Sequence, residues 1–392
     1  MSYLFETYNR KNIQIKQAKG TLVKDEHGKS YLDFIQGIAT CNLGHCPDIV
    51  TAPLKKQLDR VWHVSNLFQN DLQEKVAEQL VQHSAGDLVF FCNSGAEANE
   101  AAVKLARKHT QKTTIITFEK SFHGRTYAAM AATGQEKIKA GFGPMLPGFH
   151  HLSFNRLGEL DQFMDDDIAA VMLETIQGEG GVIPASQAFL QEVAAFCKKK
   201  RALLIVDEVQ TGIGRTGKAF GYQYQGLSPD IITVAKGLGS GFPVGAVIAK
   251  KDLGQSFSPG SHGTTFGGNM LAMTAANATL DTIFQKSFLE AVKAKGDFFQ
   301  EELKTLLQYP LTKDIRGKGL MIGIECIVPV QPVIEELQSE GLLVLSAGSN
   351  VIRMLPPLNV ATDELIMAVE KLNHVFEKAK INHTEENFFS LR

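Results

Sequence analysis

The chain has 392 residues, 44% hydrophobic and 21% charged, which is long enough for a large domain with a satellite and ordinary for a water-soluble globular protein. A formal net charge of −2 gives no ground for a nucleic-acid or anionic-membrane partner, and no run approaches 18 apolar residues, so no membrane span is expected. Five scattered cysteines (Cys41, Cys46, Cys92, Cys197, Cys326), odd in number and without CxxC spacing, argue against a disulfide framework or a zinc site and suit a reducing cytoplasm.

In chain order, residues 1–17 lack an apolar core of signal-peptide length. Residues 20–35 place Asp-Glu-His-Gly between short apolar stretches, a hairpin signal. Leu72, Val76 and Leu80 then share a helical face, Leu88–Cys92 reads as a strand, and Ala98, Ala101, Ala102, Leu105 and Ala106 line the next helix. Apolar, β-branched strands follow at Thr113–Phe118, Ile168–Leu173, Leu203–Val206, Ile231–Ala235 and Val244–Ala249, with a helix at Gln187–Lys199. This alternation predicts an α/β fold, a mostly parallel central sheet covered by helices on both faces. After residue 286 come a long amphipathic helix, a Gly-rich strand at Arg316–Glu325, a helix near Val333–Glu340, short strands near Leu342–Leu345 and Val351–Met354, and a last helix from Thr362. The expected organisation is a large domain over residues 48–285 and a smaller α+β domain built from both ends, 1–47 and 286–392, with a polar tail after Lys380 that does little.

The stretch LLIVDEVQTGIGRTGKAF, residues 203–220, contains the GxxxxGK spacing of a P-loop at Gly212–Lys218. A P-loop needs Ser or Thr after its lysine and a helix whose N-terminus faces the phosphates. Here Ala219 follows, and the aromatic, Gly/Pro-broken AFGYQYQGLSPD is no helix pattern, so a nucleotide triphosphatase is disfavoured and Lys218 reads as a loop charge. The acidic residue at the strand end is more informative, because ligands of open α/β sheets bind at the carboxyl ends of the strands. Asp207 follows one strand and Lys236 follows another, opening KGLGSGFPVGA. Asn93-Ser94-Gly95-Ala96 follows a third and leads into a strong helix. A carboxylate for a cationic ring nitrogen, a lysine that can form an imine and a helix terminus for a phosphate meet the binding needs of pyridoxal 5′-phosphate (PLP), with no metal required. Singly, these residues also fit a salt bridge, a solvated lysine and a plain helix cap; the combination in this order is what points to the cofactor.

These residues sit in longer motifs: YLDFIQGIATCNLGHC, FCNSGAEANEAAVKLAR, FHGRT, ETIQGEGG, LIVDEVQTGIGRTG, DIITVAKGLGSGFPVGA, HGTTFGGN and IRMLPPL. From about Gly20 to Val375 the chain resembles the class III (subgroup II) PLP-dependent aminotransferases of fold type I, and within them most closely the N-acetylornithine branch. The resemblance implies that Lys236 carries the cofactor covalently and shuttles the proton, that Asp207 faces the pyridine nitrogen, and that Gln210 lies beside the ring hydroxyl. It makes Ser94, Gly95 and Ala96 the phosphate turn, Phe122 the aromatic stacked on the ring, and Arg125 the arginine for a substrate carboxylate. Glu179 and Arg353 match an acid and an arginine that pair near the substrate. Thr265 matches a threonine that reaches the phosphate of the neighbouring subunit, which implies a homodimer with shared active sites. Where the ornithine aminotransferase pattern has a tyrosine, this chain has Ile38, which leaves room for an acyl group. His123 is given no role beyond a packed or solvated histidine.

The activity so implied is transfer of the terminal amino group of N2-acetylornithine to 2-oxoglutarate, giving N-acetylglutamate 5-semialdehyde and glutamate, in arginine biosynthesis. Rivals within the class are ornithine, succinylornithine, 4-aminobutyrate and succinyl-diaminopimelate aminotransferases. Outside it stand a P-loop NTPase and a catalytically silent PLP-binding scaffold.

Overall fold

The computed structural model describes residues 3–384. The tail expected to do little lies, from residue 385, outside the described residues. A seven-stranded sheet organises the centre in the order Leu88–Cys92, Gly245–Ala249, Ile231–Val234, Leu203–Asp207, Ile168–Leu173, Thr114–Phe118, Phe149–Leu152. Only Gly245–Ala249 runs antiparallel to its neighbours. Strands such as IAAVML, IITV and GAVIA are buried along their whole length, as strands with both faces covered must be.

Helix starts on both faces are fixed by short polar side chains. Asn70, Ser94, Ser186 and Asn269 each accept a backbone N–H from the first turn of the helices Asp71–His83, Gly95–Thr110, Gln187–Lys200 and Met270–Ile283. The helix Gly95–Thr110 presents Ala98, Ala101, Ala102, Leu105 and Ala106 to the sheet, and these small residues let it lie close. Met270–Ile283, absent from the sequence expectations, is buried on nearly every side, so its sequence carries little amphipathic period.

The chain ends form two further sheets. Ile15–Lys19, Leu22–Asp25 and Ser30–Asp33 pair antiparallel, with the expected turn between the last two, and Leu342–Leu343 joins Ser30–Asp33 in parallel, tying the two ends of the chain together. The second sheet runs Thr312–Lys318, Met321–Cys326, Val351–Met354, Leu345–Ala347. Two stretches differ from what the sequence suggests. Arg316–Glu325 is not one strand: Gly319, at φ +55, turns the chain between two antiparallel strands, and a Cβ there would meet the Thr216 backbone at 2.5 Å. The stretch Leu342–Leu345 likewise divides between two sheets.

The glycine-rich loop after Asp207 is a structural tie. Glu208 is buried and accepts from Thr211 Oγ1 at 2.7 Å and from the amides of Gly221 and Tyr222 at 2.9 and 2.7 Å. Burial pushes its carboxyl up to about 7 against those three donors. Arg215, fully buried, donates to the carbonyls of Leu320 and Pro356 and to Asn42 Oδ1, joining the loop to segments from both ends of the chain. Lys218 is exposed with its ammonium 5.3 Å from the Tyr224 ring centroid, and only a short 3₁₀ turn, Gly221–Tyr224, follows it. Neither a phosphate cradle nor its helix is present in this loop.

Candidate active site

Parallel strands end on one edge of the sheet, and that is where the chemistry gathers. The strands Leu88–Cys92, Ile231–Val234, Leu203–Asp207, Ile168–Leu173 and Thr114–Phe118 share a direction, so Ser94, Lys236, Asp207, Glu174 and Phe122 all emerge at the same edge. They line a cavity of about 460 Å³ together with Gly95, Ala96, Arg125, Glu179 and Gln210. Arg353 stands behind Glu179 and Gln210.

Asp207 is buried at the cavity floor, its carboxylate held by three donors. Oδ2 accepts from Asn99 Nδ2 and from His123 Nδ1, each at 2.8 Å, and Oδ1 accepts from the Val209 amide at 3.0 Å. Val209 also fills the space a side chain at position 95 would need: a Cβ on Gly95 would lie 2.7 Å from Val209 Cγ1. The turn at the helix N-terminus and the Asp207 loop are thereby packed against each other. The amides of Gly95 and Ala96, in the first helical turn, have no acceptor within the helix, while Ser94 caps Glu97 at 3.2 Å.

Lys236 sits at φ +44, a left-handed backbone that a non-glycine residue adopts only when its surroundings impose it. Burial and the Arg353 charge pull its ammonium below its ordinary value, with Glu179, Asp207 and Glu174 opposing. Glu174 accepts from the amides of Phe122 and Gly178 at 3.0 and 3.1 Å, and burial pushes its carboxyl up to about 7. Arg125 lies at the exposed rim with its guanidinium carbon 5.8 Å from the Phe122 ring centroid.

Arg353 and Glu179 form a forked pair. Nη1 donates to Glu179 Oε1 at 2.5 Å and Nη2 to Oε2 at 3.2 Å, while Nη1 also reaches Gln210 Oε1 at 3.1 Å. The two partners are unequal: the Arg353 side chain is 1% exposed, the Glu179 side chain 29%. Burial works to raise the Glu179 carboxyl, but Arg353, then Lys236, hold it below the ordinary range.

Besides Arg353, which bonds to the lining residues Glu179 and Gln210 from behind, two expected site residues stay outside this cavity in the single chain. Thr265 is exposed on the loop after Thr264, and Ile38 is 38% exposed with φ +65, an unusual conformation for a β-branched residue. Thr40, two residues on, lines the cavity instead. Sequence reasoning missed Asn99, Glu174 and the role of His123. The available signals were the place of His123 inside FHGRT and of Asn99 one turn into the capped helix.

The fit of this site to PLP rests on its donor set. A fixed carboxylate, an amine of lowered basicity and free amides at a helix N-terminus surround one cavity of ligand size.

Comparison with known proteins agrees. The family model for class-III aminotransferases matches residues 5–376. An acetylornithine aminotransferase of Bacillus subtilis (strain 168) is 68% identical, over 95% of this chain and 97% of its own length. Among solved structures, N-acetylornithine aminotransferase from Stenotrophomonas maltophilia K279a superposes with a TM-score of 0.82 at 33% identity, covering 95% of this chain and 97% of that one. Ornithine aminotransferase from Toxoplasma gondii, with PLP at partial occupancy in its active site, gives 0.92 at 31% identity, covering 98% and 94%. Backbone likeness alone therefore does not separate the two substrates.

Proposed function

The chain belongs to the class-III aminotransferase family, and from that premise we infer that it is a PLP-dependent transaminase moving the terminal amino group of N2-acetylornithine to 2-oxoglutarate, with N-acetyl-L-glutamate 5-semialdehyde and L-glutamate as products, a reaction of arginine biosynthesis. The observation that carries the substrate reading is the closed Arg353–Glu179 pair beside Lys236.

PLP, when bound, supplies a carbonyl for the amino group and a protonated ring that takes up electron density. We assign the remaining work to the chain as follows. Asp207, fixed by three donors, holds the proton of the ring nitrogen. Lys236 binds the cofactor and, with its basicity lowered by burial, takes and returns the proton at the reacting carbon. Gly95 and Ala96 would offer backbone amides to the phosphate beside Ser94, Phe122 would stack on the ring, and Gln210, bonded to Arg353 and Glu179, would lie beside the ring hydroxyl. Arg125 at the rim takes the substrate's carboxylate as a planar fork.

The ion pair explains how one pocket serves two substrates of different charge. While closed, Arg353 is neutralised and a substrate enters with its distal amine foremost. The second substrate brings two carboxylates. One takes the place of the Glu179 carboxylate on Arg353, which stays buried, and Glu179, already partly exposed, turns to solvent. The exchange swaps one carboxylate for another, so it avoids the large cost of stranding a buried cation. Ile38, exposed outside the cavity of the single chain, is assigned to the acyl end of the substrate, where it would offer no hydroxyl to be left unpaired. Replacing Glu179 with alanine should raise kcat/KM for glutamate on the order of tenfold, the scale of a charged hydrogen bond, and erode the preference for the distal amine. Unchanged glutamate kinetics would contradict the switch.

We further assign residues 1–47 and 286–392 to one small domain and 48–285 to the large one, and the enzyme to a homodimer in a reducing cytoplasm, where its five unpaired cysteines are at home. No helix among the described residues is long and apolar enough to cross a membrane. The dimer reading is supported by an exposed apolar band, Trp62, Leu67, Phe68 and Phe266, in which His63 packs on Phe266 and Asn66 Nδ2 donates to the Gly267 carbonyl at 3.0 Å. Thr265 lies in this band and would complete the partner's phosphate site. Sedimentation should give a dimer, and mixed Lys236→Ala and Thr265→Ala subunits should recover activity above either variant alone. A fully active monomer would refute the shared site.

A further inference from the structure

We propose that His123 is a positioning residue for Asp207, setting the orientation and charge distribution of the carboxylate that faces the cofactor ring; the inference rests on the transaminase reading above. His123 is 2% exposed, and its backbone is pinned from two sides: its amide donates to Thr133 Oγ1 at 2.9 Å and its carbonyl accepts from Asn99 Nδ2 at 2.6 Å. The ring is thus delivered to Asp207 by three separate elements, the segment after Thr114–Phe118, the end of Tyr127–Ala132, and the helix Gly95–Thr110.

A carboxylate oxygen accepts only, so at 2.8 Å from Asp207 Oδ2 the His123 Nδ1 carries the proton. The other ring nitrogen, Nε2, is buried with no hydrogen-bond partner among the described residues. The one protein hydrogen bond of the ring among those residues is therefore the bond to the Asp207 carboxylate. With Asn99 and His123 on Oδ2 and the Val209 amide on Oδ1, one Oδ1 lone pair remains uncommitted, on a residue that lines the cavity. Loss of the His123 donor leaves Asn99 alone on Oδ2 and the Val209 amide on Oδ1, so the carboxylate is held less tightly and more charge stays on Oδ2. The titratable groups facing the ring are Asp207 and Glu174, and Asp207 holds the imidazole above its ordinary value although burial opposes it.

The test compares wild-type holoenzyme with His123→Leu, which keeps bulk without a donor, and His123→Asn, whose amide N–H can occupy the place of Nδ1. The visible band of bound PLP is followed against pH, alongside kcat and KM for acetylornithine and the melting temperature. His123→Leu should stay folded and yellow, lose kcat by roughly tenfold or more with KM little changed, and move the pH at which the band changes. His123→Asn should return both towards wild type. Wild-type kcat and band in His123→Leu, or no recovery in His123→Asn, would overturn the proposal. Should His123→Leu fail to fold, nitrogen-15 histidine spectra of the wild-type holoenzyme decide: a protonated Nδ1 supports the assignment and a bare Nδ1 defeats it. A wild-type protein that never turns yellow would instead sink the cofactor reading itself.

Discussion

Lys236→Ala should fold, bind PLP through its phosphate and ring, and lose more than about 10³-fold of its transamination rate, since it removes both the covalent anchor and the group that moves the proton. Among the described residues no other lysine lines the cavity. The strain of a left-handed lysine is set by its neighbours, so alanine at this position inherits a similar backbone cost and the fold should survive. Borohydride reduction of the wild-type holoenzyme followed by peptide mapping should place the pyridoxyl group on Lys236; a label on any other lysine would remove the assignment.

Asp207→Asn should cost about 10²-fold or more in kcat, the order lost when a preorganised charge-stabilising group is removed from a dry site. Its effect on stability is a separate matter. The wild-type carboxylate accepts three hydrogen bonds, and the substituted amide turns one accepting oxygen into a donor facing Asn99 and His123 or the Val209 amide. A loss of about 1–3 kcal/mol is expected unless His123 changes tautomer to accept. Calorimetry should therefore show a folded protein with a modestly lower Tm. Near-normal turnover would mean that the ring nitrogen has another partner.

Much of this site was legible because topology did the work. Once the strands before Ser94, Asp207 and Lys236 are recognised, a parallel sheet can only bring their ends to one edge, and the structure does so. The antiparallel Gly245–Ala249 strand was not legible, since a fully buried strand reads the same in either direction. Asn99, Glu174 and the bond from His123 to Asp207 depend on which polar groups end up dry and adjacent, a tertiary fact that local pattern does not carry. The hairpin at Gly319 was hidden because glycines inside an apolar run suggest a bulge as readily as a turn. Ile38 and Thr265 were named from family motifs, and in the single chain both remain on the surface. The role proposed for Thr265 is one that a single chain cannot display.

On this reading the pocket favours an acylated ornithine presented by its distal amine. The direct measurement is a glutamate-coupled assay of kcat/KM with 2-oxoglutarate and, in turn, N2-acetylornithine, ornithine, N2-succinylornithine, 4-aminobutyrate and succinyl-diaminopimelate. Acetylornithine should exceed free ornithine and 4-aminobutyrate by at least about tenfold, the discrimination worth ~1.4 kcal/mol in the transition state. Equal efficiency on ornithine and acetylornithine, or a preference for 4-aminobutyrate, would contradict the account.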